Sequence, residues 1–134
     1  MKSFILISNI NWKRFFGIFA LLLTLDAIYI SLFSNFFNRV FKKVQGGREL
    51  SIKYGGFLFT YLLMTSIIYY FGFVKRFSSS DMFLLGISIY GVYELTNYTT
   101  LIDWNLKMVF LDTLWGGILF TSTLYLLKLI STVW

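Results

Sequence analysis

The chain contains no cysteine, no histidine and no proline. The first absence removes disulfides, thiol nucleophiles and thiolate metal sites. The second removes imidazole ligands and the usual general base near neutral pH. Without proline, no apolar run carries the break that marks the discontinuous helices of many transporters. Charge is scarce as well: Asp, Glu, Lys and Arg make up 13% of the chain, against roughly 25% in soluble domains. Any proton chemistry therefore falls to carboxylates, phenols and lysines.

What is present is mostly apolar. Hydrophobic residues make up 57% of the 134 positions and aromatic residues 22%, with a mean hydropathy of +0.73. This composition describes one all-α, integral, multi-pass membrane domain covering residues 1–134. Four apolar runs, about 15–33, 54–74, 82–102 and 108–127, are each long enough to cross a hydrocarbon core of ~30 Å at ~1.5 Å per residue. The first run exceeds a signal-peptide core, is interrupted by Asp26 and lacks a small-residue cleavage pattern, so it reads as a retained helix.

The segments between the runs are interfacial. Residues 1–14 form an N-terminal arm with Trp12 at headgroup depth and Lys13-Arg14 as an anchor. Residues 34–45 alternate Phe36, Phe37, Val40, Phe41 and Val44 with Asn35, Asn38, Arg39, Lys42 and Lys43 at helical spacing. That pattern predicts an amphipathic surface helix ended by Gly46-Gly47. Ser80 or Asp81 is placed to cap the third span. Trp104 lies in the last tight turn as another interfacial ring, and Lys128 and Trp134 mark the far interface. The formal charge of +6 sits almost wholly in these flanks. It implies the lipid bilayer and its anionic headgroups as partners, not nucleic acid. Lys2, Lys13, Arg14, Lys75, Arg76 and Lys128 fall on one side, and Arg39, Lys42, Lys43, Arg48, Lys53 and Lys107 on the other. The loop charges therefore tie, and orientation stays open.

Three acids lie inside the spans: Asp26, Glu94 and Asp112. A carboxylate at membrane depth costs at least ~2.5–3.5 kcal/mol on insertion scales, so each needs compensation. Glu94 stands in the polar stretch Tyr90-Gly91-Val92-Tyr93-Glu94-Leu95-Thr96-Asn97-Tyr98. Tyr90, Gly91, Glu94, Asn97 and Tyr98 share about a third of a helical wheel. Asp26 and Tyr29 share a face of the first span, and Asp112, Trp115 and Gly116 a face of the fourth. All three acids fall in the same half of the membrane. The expected site is a polar cavity of Asp26, Tyr29, Tyr90, Glu94, Thr96, Asn97, Tyr98, Asp112 and Trp115, with Lys107 at its rim. Such oxygen ligands suit a proton, a protonated amine or a hard cation such as Mg²⁺. No hydroxyl has an adjacent base, which disfavours nucleophilic catalysis.

Gly55-Gly56-Phe57-Leu58-Phe59-Thr60 and Gly116-Gly117-Ile118-Leu119-Phe120-Thr121 differ at one position, which raises a duplicated two-helix unit. Either glycine pair would serve as a seam in a homo-oligomer.

Leu25-Asp26-Ala27-Ile28-Tyr29, then Gly91-Val92-Tyr93-Glu94-Leu95-Thr96-Asn97-Tyr98-Thr99-Thr100-Leu101 with Trp104, then Asp112-Thr113-Leu114-Trp115-Gly116, resemble the membrane proteins of domain-of-unknown-function family 2177. The resemblance covers nearly the whole chain. The family pattern has Asp-Leu-Thr-Asn where this sequence has Glu94-Leu95-Thr96-Asn97, so the carboxylate reaches one methylene further. The resemblance implies a four-helix membrane fold and weight on these positions, and it supplies no reaction. Three functions follow from the residues. The first is a transporter or channel-like protein for protons, cations or a small cationic solute. The second is a membrane enzyme acting on a lipid or isoprenoid phosphate, and the third is an assembly subunit of a membrane complex.

Overall fold

The computed structural model describes residues 9–132, which form helices and no strand. The expected arm over residues 1–8 and the terminal Trp134 lie outside the described residues. Helix α1 spans Trp12–Leu32, α2 Ser34–Val44, α3 Tyr54–Tyr69, α4 Ser79–Thr100 and α5 Leu106–Ser131. Helix α3 continues into one wider, π-helical turn, Tyr70–Val74.

Local chemistry sets the ends. Asn11 caps α1, its side chain accepting from the Arg14 backbone N–H. Trp12, Lys13 and Arg14 therefore form the first turn of the helix and not an arm before it. Trp12 is exposed there, and the Arg14 guanidinium lies 5.0 Å from the centre of the Phe73 ring. Helix α2 ends at Gly46 and Gly47, whose positive φ angles of 65° and 88° suit residues without a Cβ. Ser78, not Ser80 or Asp81, caps α4: its Oγ accepts from the Asp81 N–H and donates to the Asp81 carboxylate. Asn105 caps α5 by accepting from two backbone N–H groups.

Packing follows the order α3, α1, α5, α4. Along α1 and α3, antiparallel contacts run from Asn11 at Tyr69 to Asp26 at Tyr61. The polar stripe Tyr61, Thr65, Tyr69 therefore faces α1. Helix α5 runs antiparallel to α1, with Trp115 on Asp26 and Asp112 on Tyr29. The shared core holds Ile18 and Leu22 of α1, Met64 and Ile68 of α3, Met82 of α4, and Leu119, Phe120 and Leu124 of α5. Large apolar side chains such as Phe16, Phe59, Leu84, Val92 and Phe110 point outward, the pattern of a bundle solvated by lipid. Helices α1, α3 with its π turn, and α5 are long and apolar enough to cross a membrane. Helix α4 has the length, at 22 residues, but its polar stretch leaves it less apolar than the other three.

The amphipathic helix lies where the sequence predicts it. Its buried face, Phe37 and Val40, packs on Tyr29, Trp104, Met108 and Val109, so it closes one end of the bundle. Arg39, Lys42 and Lys43 lie on its exposed side, and Lys43 reaches Asp103 at 3.4 Å.

The glycine pairs have different roles. A Cβ on Gly86 of α4 would lie 2.2 Å from the Gly116 carbonyl oxygen of α5, and one on Gly116 2.4 Å from Tyr90. Gly116-Gly117 is thus consumed by the α4–α5 seam and is not free for a second copy. Gly55 and Gly56 have nothing within 4 Å, so the sequence echo does not mark a shared packing role. Gly86→Ala would push a methyl into backbone that cannot move alone, an overpacking cost of ~1–3 kcal/mol. Thermal unfolding in detergent should show a lowered midpoint for Gly86→Ala and none for Gly55→Ala. Equal midpoints would contradict the close seam.

Candidate functional site

The first carboxylate is held from two sides. Asp26, buried on α1, accepts the Tyr61 hydroxyl of α3 on one oxygen and the Trp115 indole N–H of α5 at 2.8 Å on the other. Both donors are neutral. The Trp115 ring also stacks on Tyr29, 4.4 Å between centres and 11° from parallel. That stacking holds the Tyr29 hydroxyl toward Asp112, whose Oδ1 accepts it at 2.7 Å. Asp26 and Asp112 are near enough to repel each other when both are charged.

Glu94 is the most enclosed of the three, at 0% exposure. Its Oε2 accepts the Trp104 indole N–H at 2.7 Å, while Oε1 has no donor among the described residues. The group lies within hydrogen-bonding reach of the Asp112 carboxyl. The chain of contacts is therefore Trp104, Glu94, Asp112, Tyr29.

Two cavities meet at one wall. Asp26, Tyr61, Tyr90 and Asp112 line both. One cavity, of about 450 Å³, extends toward α2 past Tyr29, Ser34, Phe37, Asn38 and Phe41. The other, of about 390 Å³, extends between α3 and α4. Both lie in the size range of small-molecule sites, ~300–1,000 Å³. Among the described residues, no lysine or arginine lines either.

The structure thus brings together Asp26, Tyr29, Tyr90, Asp112 and Trp115 of the expected site. Glu94 lies behind the wall, against Asp112, and lines neither cavity. Thr96, Asn97 and Tyr98 are not brought in: Thr96 and Tyr98 are exposed, and Asn97 lies against Tyr93. The wheel places Asn97 and Tyr98 beside Glu94, but α4 packs chiefly on α5, and a single partner covers only a narrow stripe. Trp104, expected as an interfacial ring, is turned inward onto Glu94 and is 6% exposed. Lys107 does not rim the cavity; its ammonium lies over the Phe36 ring at 5.6 Å. Among the described residues no three acids gather as metal ligands, so the expected hard-cation set of three carboxylates does not form.

Sequence reasoning left out Tyr61 and misread Trp104. The first had a signal, since Tyr61 begins the polar stripe of α3 and only its link to Asp26 was hidden. The second had none, because a turn residue carries no periodicity. Trp104→Phe would leave a fully buried carboxyl without its donor, at a cost of ~1–3 kcal/mol. Adding Glu94→Leu should return part of that loss in a double-mutant cycle of unfolding free energies. Strictly additive losses would contradict the pairing.

Comparison with known proteins places this arrangement in a family. Residues 11–127 match the family described as "Predicted membrane protein (DUF2177)". No curated protein and no solved structure matches the chain. The matched span contains every residue of the shared wall, together with Glu94 and Trp104, and with three helices fit to cross a bilayer the chain belongs, as an integral multi-pass membrane protein, to the DUF2177 family.

Proposed function

We propose that this protein is a membrane carrier that takes a small organic cation at the wall formed by Asp26 and Asp112. The observation that carries the reading is the composition of that wall. It presents two carboxylates and the phenols of Tyr29, Tyr61, Tyr90 and Tyr93, and among the described residues no basic side chain lines either cavity. The donors that hold the carboxylates are neutral, so they fix position without cancelling charge. An unbalanced negative site in low dielectric attracts a cation strongly. Aromatic faces add up to ~2 kcal/mol for a desolvated ammonium group.

The same geometry favours an organic ammonium ion over a divalent metal. Both oxygens of Asp26 already accept bonds from ring donors, whereas Mg²⁺ demands near-ideal octahedral oxygen ligation. A phosphate-bearing substrate is disfavoured too, because Arg39, Lys42 and Lys43 lie on the exposed side of α2.

A carrier of this kind needs α4 as a fourth span, with α2 at the interface. Helix α4 follows α5 in antiparallel register, from Thr121 at Ser79, through Gly116 at Gly86, to Asp112 at Glu94. A bilayer crossed by α5 has α4 alongside at the same depth. The polar cost of α4 falls where Trp104 and Asp112 cover Glu94.

Uptake of labelled tetramethylammonium into proteoliposomes tests the reading. Uptake above that of protein-free vesicles is expected. Asp26→Asn or Asp112→Asn should reduce it by about tenfold or more, the loss that follows removal of ~1.4 kcal/mol of ion pairing. Undiminished uptake in both variants would sink the proposal.

A further inference from the structure

The two outer helices of the row, α3 and α4, touch through side chains, the Tyr90 hydroxyl lying 3.6 Å from the Met64 sulfur, and leave a cleft beside that contact in place of a close seam. Their mutual contacts are too few to rank beside those of α3 with α1 or of α4 with α5. The second cavity occupies this gap. Thr60, Leu63, Met64 and Ile67 line it from α3, and Ile89 and Tyr93 from α4. At its inner end stand Asp26, Tyr61, Tyr90 and Asp112.

Depth gives the gap its meaning. Residues 60–67 lie in the middle of the segment 54–74, and residues 89–93 lie inside α4 away from both of its ends. The mouth is therefore remote from either interface and opens sideways. Leu63 and Tyr93, at that mouth, are 63% and 56% exposed, and in a membrane their neighbours there are acyl chains. The first cavity reaches the same wall from the α2 end, past Ser34 and Asn38 and the apolar Phe37, Phe41 and Leu50. One wall is thus approached from two sides, past α2 and between α3 and α4.

We infer that the α3–α4 cleft receives the hydrocarbon tail of an amphiphilic ammonium compound directly from the bilayer, while its charged head lies against Asp26 and Asp112. The inference rests on the cation-site reading above and adds to it the substrate class and the path. Charge complementarity selects among the molecules a bilayer offers. A phospholipid brings a phosphate to two carboxylates and is repelled, whereas a single-chain ammonium compound brings only a cation. Chemistry fits as well, since Leu63, Ile67 and Ile89, with the buried Met64 behind them, offer the tail an apolar wall.

The test uses the full chain in lipid nanodiscs and two probes. Tetramethylammonium reports the head site alone. Decyltrimethylammonium carrying a photoreactive diazirine at the tail end reports where the tail lies. Labelling is expected on Leu63, Met64, Ile67 or Ile89, located by mass spectrometry of the labelled peptides. Leu63→Trp or Ile89→Trp, each filling the mouth from a different helix, should weaken decyltrimethylammonium binding by about tenfold and leave tetramethylammonium binding unchanged. Label on Phe37 and Phe41 would overturn the inference, as would label spread evenly over all lipid-facing side chains, label unaffected by the tryptophans, or cross-links to a second copy through the cleft. In those cases tetramethylammonium binding that still needs Asp112 leaves the cation site standing. If wild-type protein fails to bind tetramethylammonium, or Asp112→Asn binds it as well as wild type, the cation site falls and the cleft inference falls with it.

Discussion

A carboxyl group surrounded by hydrocarbon must find donors or keep a proton, and the arrangement of this bundle follows from how three such groups are served. Asp26 takes one bond from α3 through Tyr61 and one from α5 through Trp115. Each hydrogen bond to a charged group is worth ~1.5–3 kcal/mol, so two offset an insertion cost of ~2.5–3.5 kcal/mol. Helix α1 carries Asp26 and Tyr29, and it stands between α3 and α5 because both must reach it. Glu94 has one donor, Trp104, and one neighbouring carboxyl, Asp112. It stands inside the protein and lines neither cavity.

The rest of the shape comes from glycine. Gly86, Gly116 and Gly117 let the backbones of α4 and α5 touch, so α4 is drawn fully onto α5 and away from α3. The price of that close seam is the gap on the other side. Aromatic donors hold the three acids without supplying a positive charge, and the gap leaves two of those acids facing open space. Those two acids, Asp26 and Asp112, line both cavities.

Much of this was legible in the chain. The apolar runs, the amphipathic segment ended by Gly46-Gly47 and the nearness of Asp26 and Asp112 could all be read from periodicity and depth. Partner choice could not. A helical wheel ranks Tyr98 with Glu94 because it knows angle but not how many neighbours the helix has. Trp104 looks like an interfacial anchor from its position in a turn, yet its indole N–H donates to Glu94. Tyr61 stood in a recognisable stripe, but the distance from residue 61 to residue 26 in the fold depends on which helices pair. Gly116-Gly117 signalled close packing correctly, while the surface it packs on was inside the chain and not across a dimer.

The central claim is that Asp26 and Asp112 meet an organic cation in the membrane-embedded wall they share. Infrared difference spectroscopy of the protein in lipid, with and without an added quaternary ammonium ion, observes those carboxyl groups themselves. The account predicts a change in the carboxyl bands on adding the ion, absent in a chain carrying both Asp26→Asn and Asp112→Asn. A flat difference spectrum for the wild-type protein, or the same spectrum from the doubly substituted one, would contradict it.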